Sequence, residues 1–573
     1  MEERFFEAPV TNVIHTEPAP AKQKLRLHPL KLPQAHLDDW HNNMLPQLER
    51  IVGRALKDSP ETVSIDLVSI GDTQLTARPT IFVTCSSTGR VKAVLARKFN
   101  YDRTVFDLKV RKGKIRRSKV CRSRSSRKSA TRSMALPVSY PVRNPFHYER
   151  PLCGASIGAY VGEHLPPVSY GGVVLIDGQP YGMSVHHLLD APSEDEGSDF
   201  GDEESHEEVP RSSARPEHLS MLAGMGMNPA LLDVPDMDYP LEITDESDNA
   251  LSDEDFDTDE LFESDSDDDN DAATQGDING ITPGEGAHIY ITQPAIDDVD
   301  DGFFPCPEDR DDDHLSSHKL GHVHASSGIR RWNRNGVVHE IDWALLKLDN
   351  NRMQPYNLVQ GGKRYCAKSS NFCPNLIEPV VRQNFTADED EYPSQVARAE
   401  ALGNLRVHCF GRTSGLQGGV IGEAMSSLRI YKRGSFSRSW HVVGNFGGKS
   451  LLMILYTLEH SANIRLVGGD SGAWVIENTL GRVCGHVLAF CESRKLAYIC
   501  PMEVLLEDIK RTLKAQKVCL PGGEIEEEDM RSERDLLTIR NGMESLSLPR
   551  RSRSPVLGIG NGTLALEGTV KAA

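Results

Sequence analysis

Between residues 191 and 313 the chain carries three dense runs of carboxylates: SEDEGSDFGDEESHEE, DESDNALSDEDFDTDELFESDSDDDND and DDVDDGFFPCPEDRDDD. Like charges at that density repel one another and are costly to desolvate, so such a stretch does not build a core. It predicts a disordered acidic insertion over residues 191–313. Whatever folds must then be assembled from sequence on both sides of it. One less acidic island inside it, HLSMLAGMGMNPALLDVP, has the look of a short docking motif. A length of 573 residues with a net charge of -19 and 38% hydrophobic residues therefore reads as one large folded domain, one small one and much disorder.

The rest of the chain divides by composition. Residues 1–33 are Pro-rich and polar and read as a tail. From His36 to Leu56 the positions Leu37, Trp40, Met44, Leu48, Ile51, Val52 and Leu56 recur at helical steps, and SIDLVSI, PTIFVTC and TVFDLKV follow as strand-like runs. This predicts a small N-terminal α+β domain over residues 34–112. KVRKGKIRRSKVCRSRSSRKSATR, residues 109–132, opens a basic Ser/Arg-rich linker that extends over residues 113–149. Composition fits a solvated arm and a nuclear localisation signal equally, and without interleaved aromatics it offers nucleic acid only a weak contact. Residues 511–573 read as a second disordered tail.

The opening MEERFFEAPVTNVIHTEPAP lacks the apolar core of a secretory leader, and no apolar run is long enough to span a membrane. The 11 cysteines show neither CxxC pairs nor zinc-type Cys/His spacing. The expectation is an intracellular protein, cytoplasmic or nuclear, with reduced thiols, no metal, no cofactor and no membrane partner.

Three distant segments carry chemistry. In YGGVVLIDGQPYGMSVHHLL, residues 170–189, Asp177 and Gly178 mark a tight hairpin whose second strand ends on adjacent histidines. Imidazole titrates near working pH and can take a proton from a serine hydroxyl. In GVVHEIDWALLKLD, residues 336–349, Asp342 interrupts an apolar strand, where a carboxylate needs a fixed partner. A solvent-facing strand-edge position explains Asp342 as well. In RLVGGDSGAWVIENTLGRVCGHVLAF, residues 465–490, glycines flank Asp470 and Ser471. A tight turn there presents Ser471 outward while the amides of Gly469 and Ser471 converge on a developing oxyanion. A plain Gly-rich turn accounts for the glycines alone.

GGDSG resembles the nucleophile motif of the trypsin/chymotrypsin serine peptidase family, SVHH its histidine motif, and EIDWALLKL its aspartate strand. VHCFGRTSGLQGGVI, residues 407–421, is similar to the strand that opens the second barrel in bacterial lytic-type members. The order His, Asp, Ser is that family's order. The resemblance covers residues 150–190 and 314–510 and implies a mainly β fold of two antiparallel six-stranded barrels. It also implies roles: Ser471 as nucleophile, His187 as base and then acid, Asp342 as the group that orients His187, and Gly469 with Ser471 as oxyanion hole. His186 is the reserve base. Asp470 needs a cation, for which Arg412 is the candidate. Leu188 and the absence of a cysteine just before GGDSG depart from secreted members. Leu488 stands where relatives carry serine, and Arg465 where the trypsin pocket has its aspartate, which argues against cleavage after Lys or Arg.

The leading expectation is an intracellular serine endopeptidase acting on protein or peptide substrates. A catalytically silent barrel whose acidic insertion engages basic proteins, and a module that cleaves only itself, are the other readings.

Overall fold

The computed structural model describes residues 26–28, 30–57, 59–117, 142–190, 276–306, 308–366, 385–444, 470–491 and 496–523. In the N-terminal part the helical apolar spacing produces α-helix Gln34–Asp39, a π-helical turn Trp40–Met44 and α-helix Leu45–Ala55. Their buried face, with Trp40, Leu45, Leu48 and Val52, packs over strands β2 (Val63–Gly71) and β3 (Arg78–Cys85). Helix Thr88–Lys98 then supplies the crossover that a parallel partner requires, and β4 (Asp107–Lys112) lies parallel to β3. A short β1 (Arg26–His28) pairs with β2, and β5 (Ile115–Arg116) pairs with a strand of the C-terminal half while Ile115 N still donates to Thr62 Oγ1.

Alternating apolar residues and turn glycines drive the remainder into antiparallel strands. Before the acidic stretch come β6 (Ser156–Tyr160), β7 (Val168–Ser169), β8 (Gly172–Ile176) and β9 (Gln179–Ser184). Beyond it come β10 (Ile278–Asn279), β11 (Tyr290–Thr292), β12 (Lys319–Ser326), β13 (Gly328–Arg334), β14 (Val337–Ile341) and β15 (Ala344–Leu348). The C-terminal half adds β16 (Arg406–Gly411), β17 (Gly415–Ile421), β18 (Ser426–Arg429), β19 (Ser437–Gly444), β20 (Trp474–Glu477), β21 (Val483–Cys491) and β22 (Leu496–Pro501). Helix Met502–Leu513 and β23 (Val518–Cys519) follow.

Six strands, β17–β16–β20–β21–β22–β19, close on themselves because β19 pairs back to β17. Val407, Cys409, Val442, Val475 and Ile499 belong to its buried core. The other sheet, β23–β8–β9–β15–β12–β11–β6–β7, stays open among the described residues and forms a half-barrel.

The architecture is mainly β, as expected; among the described residues one six-stranded barrel closes and the other sheet forms a half-barrel. The expected separate N-terminal domain also differs. β18 pairs with β2, so the sheet of residues 63–112 is a continuation of the barrel wall.

Two boundaries move. Residues 276–306 are built into the fold even though the acidic reading ran to residue 313: β11 lies inside the half-barrel, hydrogen-bonded to β6 on one side and β12 on the other, with Ile291 fully buried. Charge density concealed the short apolar alternation of HIYIT, residues 288–292. At the other end the fold runs past residue 510, because the apolar face of helix Met502–Leu513 packs into the core and β23 pairs with β8. The acidic residues 191–275, the Ser/Arg-rich residues 118–141 and residues 524–573 lie outside the described residues.

Candidate active site

Strand register brings the first two residues together. β9 and β15 are antiparallel with Ser184 opposite Ala344, so the helical turn His186–Leu189 that follows β9 and the Asp342 that precedes β15 emerge at the same end of the pair. The hairpin that carries the histidines is closed by Asp177 and Gly178, both at positive φ, the backbone such a two-residue turn needs. Of the two adjacent histidines, His187 is the one whose ring meets Asp342, with Nδ1 at 2.6 Å from Oδ2. The backbone N–H of His187 donates to Oδ1 at 3.1 Å. His186 turns the other way, its Nδ1 2.9 Å from the hydroxyl of Ser326.

A third donor reaches the carboxylate: the hydroxyl of Tyr431 donates to Asp342 Oδ2 at 3.0 Å. It arrives from a turn in which Tyr431 and Lys432 both hold positive φ, at 60° and 57°. Two consecutive side-chain-bearing residues in the left-handed region cost about 1–2 kcal/mol each. Backbone strain of this kind clusters at functional sites. Leu488, in the position where the resemblance expects a serine, is buried and apolar; Tyr431 brings a hydroxyl to the aspartate from a different strand connection.

Asp342, His187 and Ser471 are all fully buried. Burial works to raise the Asp342 carboxyl, but the facing His187, its hydrogen bond, and the nearby His186 and His486 outweigh it and hold the group well below the usual carboxylate range. Burial, with the charge of Asp342 adding to it, keeps the Tyr431 phenol far above its ordinary value, so it remains a donor. His486, on β21, is pushed down to about 4, chiefly by burial, against the pull of Asp342.

Ser471 sits in a tight turn in which Ala473 N donates to Asp470 O at 3.0 Å and Gly472 takes φ of 86°. The turn is fixed against the half-barrel: Ser169 N donates to Ser471 O at 2.9 Å. A β-carbon on Gly472 would lie 2.6 Å from both Ser169 O and Ser184 Oγ. Glycine is thus required there twice over, by conformation and by space. Ser184 precedes His187 by three residues and donates to Ser169 O at 2.8 Å, so the Ser471 turn docks on the strand end that leads into His187. The close packing continues at Gly171, where a β-carbon would meet Trp474 Cδ1 at 2.7 Å and Gly472 O at 2.8 Å.

Asp470 accepts the backbone N–H of Thr413 at 2.8 Å and of Ser414 at 3.2 Å. The guanidinium that the resemblance assigned to it commits two nitrogens elsewhere. Arg412 Nε donates to Asp298 Oδ2 at 2.6 Å, and Nη2 donates to Oδ1 of the same carboxylate. Asp298 also accepts from Ser156 Oγ at 2.5 Å. Arg412 thus has a buried carboxylate partner in Asp298, a residue that lay in the stretch read as disordered. Gly469, the expected partner of Ser471 in the oxyanion hole, and Arg465 lie outside the described residues.

Among the described residues no group of three or more His, Cys, Asp or Glu side chains is arranged to hold a metal ion, and no helix is long and apolar enough to cross a membrane. No protein-family model matches the chain, and no characterised protein matches it in sequence. Among solved structures it is similar to the crystal structure of Thermobifida fusca protease A, at 10% identity and a TM-score of 0.25, over 64% of this chain and 97% of that one. A likeness so slight says nothing about chemistry.

Proposed function

We propose that the chain is a chymotrypsin-like serine endopeptidase whose triad is His187, Asp342 and Ser471. The observation that carries this reading is the buried His187–Asp342 pair. A desolvated carboxylate with three donors on it stays ionised, and an imidazole bound through Nδ1 presents its second nitrogen, Nε2, for proton exchange. The docking of the Ser471 turn on Ser169 and Ser184 supports the same assignment.

In this reading His187 Nε2 removes the Ser471 hydroxyl proton as Oγ bonds to the scissile carbonyl carbon. The tetrahedral oxyanion is held by the amides of Gly469 and Ser471. His187 then passes its proton to the departing amine, leaving an acyl-enzyme, and activates a water that releases the acid and restores Ser471. Asp342 stabilises the transient imidazolium, and Tyr431 keeps Asp342 in place. The substrate is a peptide bond in a protein or peptide chain.

The test is turnover of a fluorogenic peptide library by the full chain and by Ser471→Ala. The expected result is a burst of leaving group followed by slower turnover, reduced about 10³-fold or more in the variant. Equal turnover by the variant would overturn the assignment.

A further inference from the structure

β5 is far from its neighbours in sequence. It leaves the N-terminal sheet and pairs antiparallel with the end of β21, Arg116 opposite Phe490 and Ile115 opposite Cys491. β21 is paired with β20 as far as His486, and with the Ser471 turn at Val487, which donates to Ala473 O at 2.9 Å and accepts from Gly472 N at 3.0 Å. Beyond that point β20 has no residue opposite the β21 edge, and β5 lies along it. An edge strand that runs on from a nucleophile's turn is where an extended peptide adds by backbone pairing.

Direction matters here. Because β5 is antiparallel to β21, its C-terminal end is the one nearer the Ser471 turn, and that end is followed by Arg117. The Arg117 guanidinium forms an ion pair with Asp190, both side chains largely buried, and stacks 4.9 Å from the ring centroid of Tyr431. Tyr431 is the residue whose hydroxyl holds Asp342, and Asp190 N donates to His187 O at 3.2 Å. One arginine therefore lies against both sides of the His187–Asp342 pair's supports. A carboxylate beside an aromatic face is the chemistry that selects a guanidinium over other side chains.

We propose that the outer edge of β21, Asp190 and the Tyr431 ring form a peptide-binding subsite selective for arginine in an extended strand, and that Ile115–Arg117 fills it in cis, so that a peptide must displace this segment. The proposal builds on the triad reading in assigning the subsite to substrate, but the pairing itself does not depend on turnover. The basic sequence around it, GKIRRS at residues 113–118, defines the probe.

The experiment measures binding of a fluorescent GKIRRS peptide by anisotropy, using the full chain in a Ser471→Ala background so that nothing is cleaved. Arg117→Ala vacates the ion pair and is expected to bind the peptide at least about tenfold more tightly than the parent, a step of the size that removing one competing charged contact produces. Adding Asp190→Asn should cancel the gain, and a GKIAAS peptide should bind weakly to every variant. Arg117→Lys, which keeps the charge and loses the planar fork, should fall between parent and Ala. Affinities within twofold across the parent and Arg117→Ala, or a gain that survives Asp190→Asn, would overturn the subsite. The two readings fail separately. Peptide binding as expected without library turnover by the Ser471 protein removes the peptidase and leaves the subsite, whereas Ser471-dependent turnover with unchanged peptide binding removes the subsite alone.

Discussion

Asp298→Asn should be among the most destabilising single substitutions in the half-barrel. Asp298 and Arg412 are each about as buried as the barrel core, at 2% side-chain exposure, and are joined by two short contacts. The pair connects three pieces of chain: Ser156 on β6 donates to Asp298, Arg412 N donates to Ser169 Oγ at 3.0 Å, and Arg412 O accepts from Asn144 at 2.9 Å. Asparagine keeps the shape and one acceptor but removes the carboxylate charge that faces the guanidinium. Removing one partner of a buried pair costs about 3–5 kcal/mol. At about 2–4 °C per kcal/mol for a domain of 150–250 residues, the melting temperature should fall by roughly 6–20 °C. Calorimetry on the parent, Asp298→Asn and Asp298→Asn/Arg412→Met supplies the measurement. The double variant, with both charges gone, should regain part of the loss, because an apolar replacement of the whole pair avoids the uncompensated charge. If Asp298→Asn melts within the range of an exposed ion pair, about 1 kcal/mol or less, the buried clamp between the barrel and residues 276–306 does not exist.

Further expectations can be measured alongside. Deleting residues 192–275 should leave a cooperative melt, since a loop contributes only a slowly growing closure entropy, whereas deleting 192–306 removes β11 and Asp298 and should abolish it. Tyr431→Phe removes one of three donors to Asp342 and should lower kcat roughly ten- to hundredfold, the effect of about 1.5–3 kcal/mol for a bond to a charged group. It should also move the acidic limb of the kcat–pH profile upward, and an unchanged profile would confine Tyr431 to packing. His314 stacks on His318 and meets His164 edge to face, and it is held down to about 3, first by burial and then by its histidine neighbours. The unfolded imidazole binds its proton near 6.5 and the folded one does not, so stability should drop as the pH is lowered from about 6.5 to 3, at up to about 1.4 kcal/mol per pH unit for this group. His314→Phe should flatten that slope in denaturant melts taken across the window. Gly171→Ala, which drives a methyl into Trp474 and the Gly472 carbonyl, should cost about 1–3 kcal/mol and loosen the Ser471 turn.

What the sequence disclosed was local and chemical. The hairpin at Asp177–Gly178, the helix before Leu56 and the glycines around Ser471 are each written in neighbouring residues whose backbone demands are specific. An aspartate within an apolar run and a histidine just past a strand were visible as groups in need of partners, although Asp342 falls in the junction between β14 and β15 and not inside a strand. Long-range pairings were not. Nothing in YKRG, residues 431–434, marks Tyr431 for positive φ, since neither glycine nor asparagine stands at 431 or 432, so its bond to Asp342 becomes visible only once β18 and β19 are placed. Asp298 was hidden for a different reason: among so many carboxylates, one that is buried against Arg412 has the same local composition as those that are not. The half-barrel form of the first sheet among the described residues, and the merging of residues 63–112 with the barrel through β18 and β2, depend on which edges meet, and single-strand patterns do not encode that choice.

An activated Ser471 should react with a phosphonylating reagent far faster than an ordinary serine. The most direct test is exposure of the full chain to a fluorophosphonate, with the adduct located by peptide mass spectrometry in the parent, Ser471→Ala, His187→Ala and Arg117→Ala proteins. One adduct is expected, on Ser471, absent from the first two variants and formed faster in Arg117→Ala. No adduct in either the parent or Arg117→Ala, or one that persists in His187→Ala at the parent's rate, would contradict it.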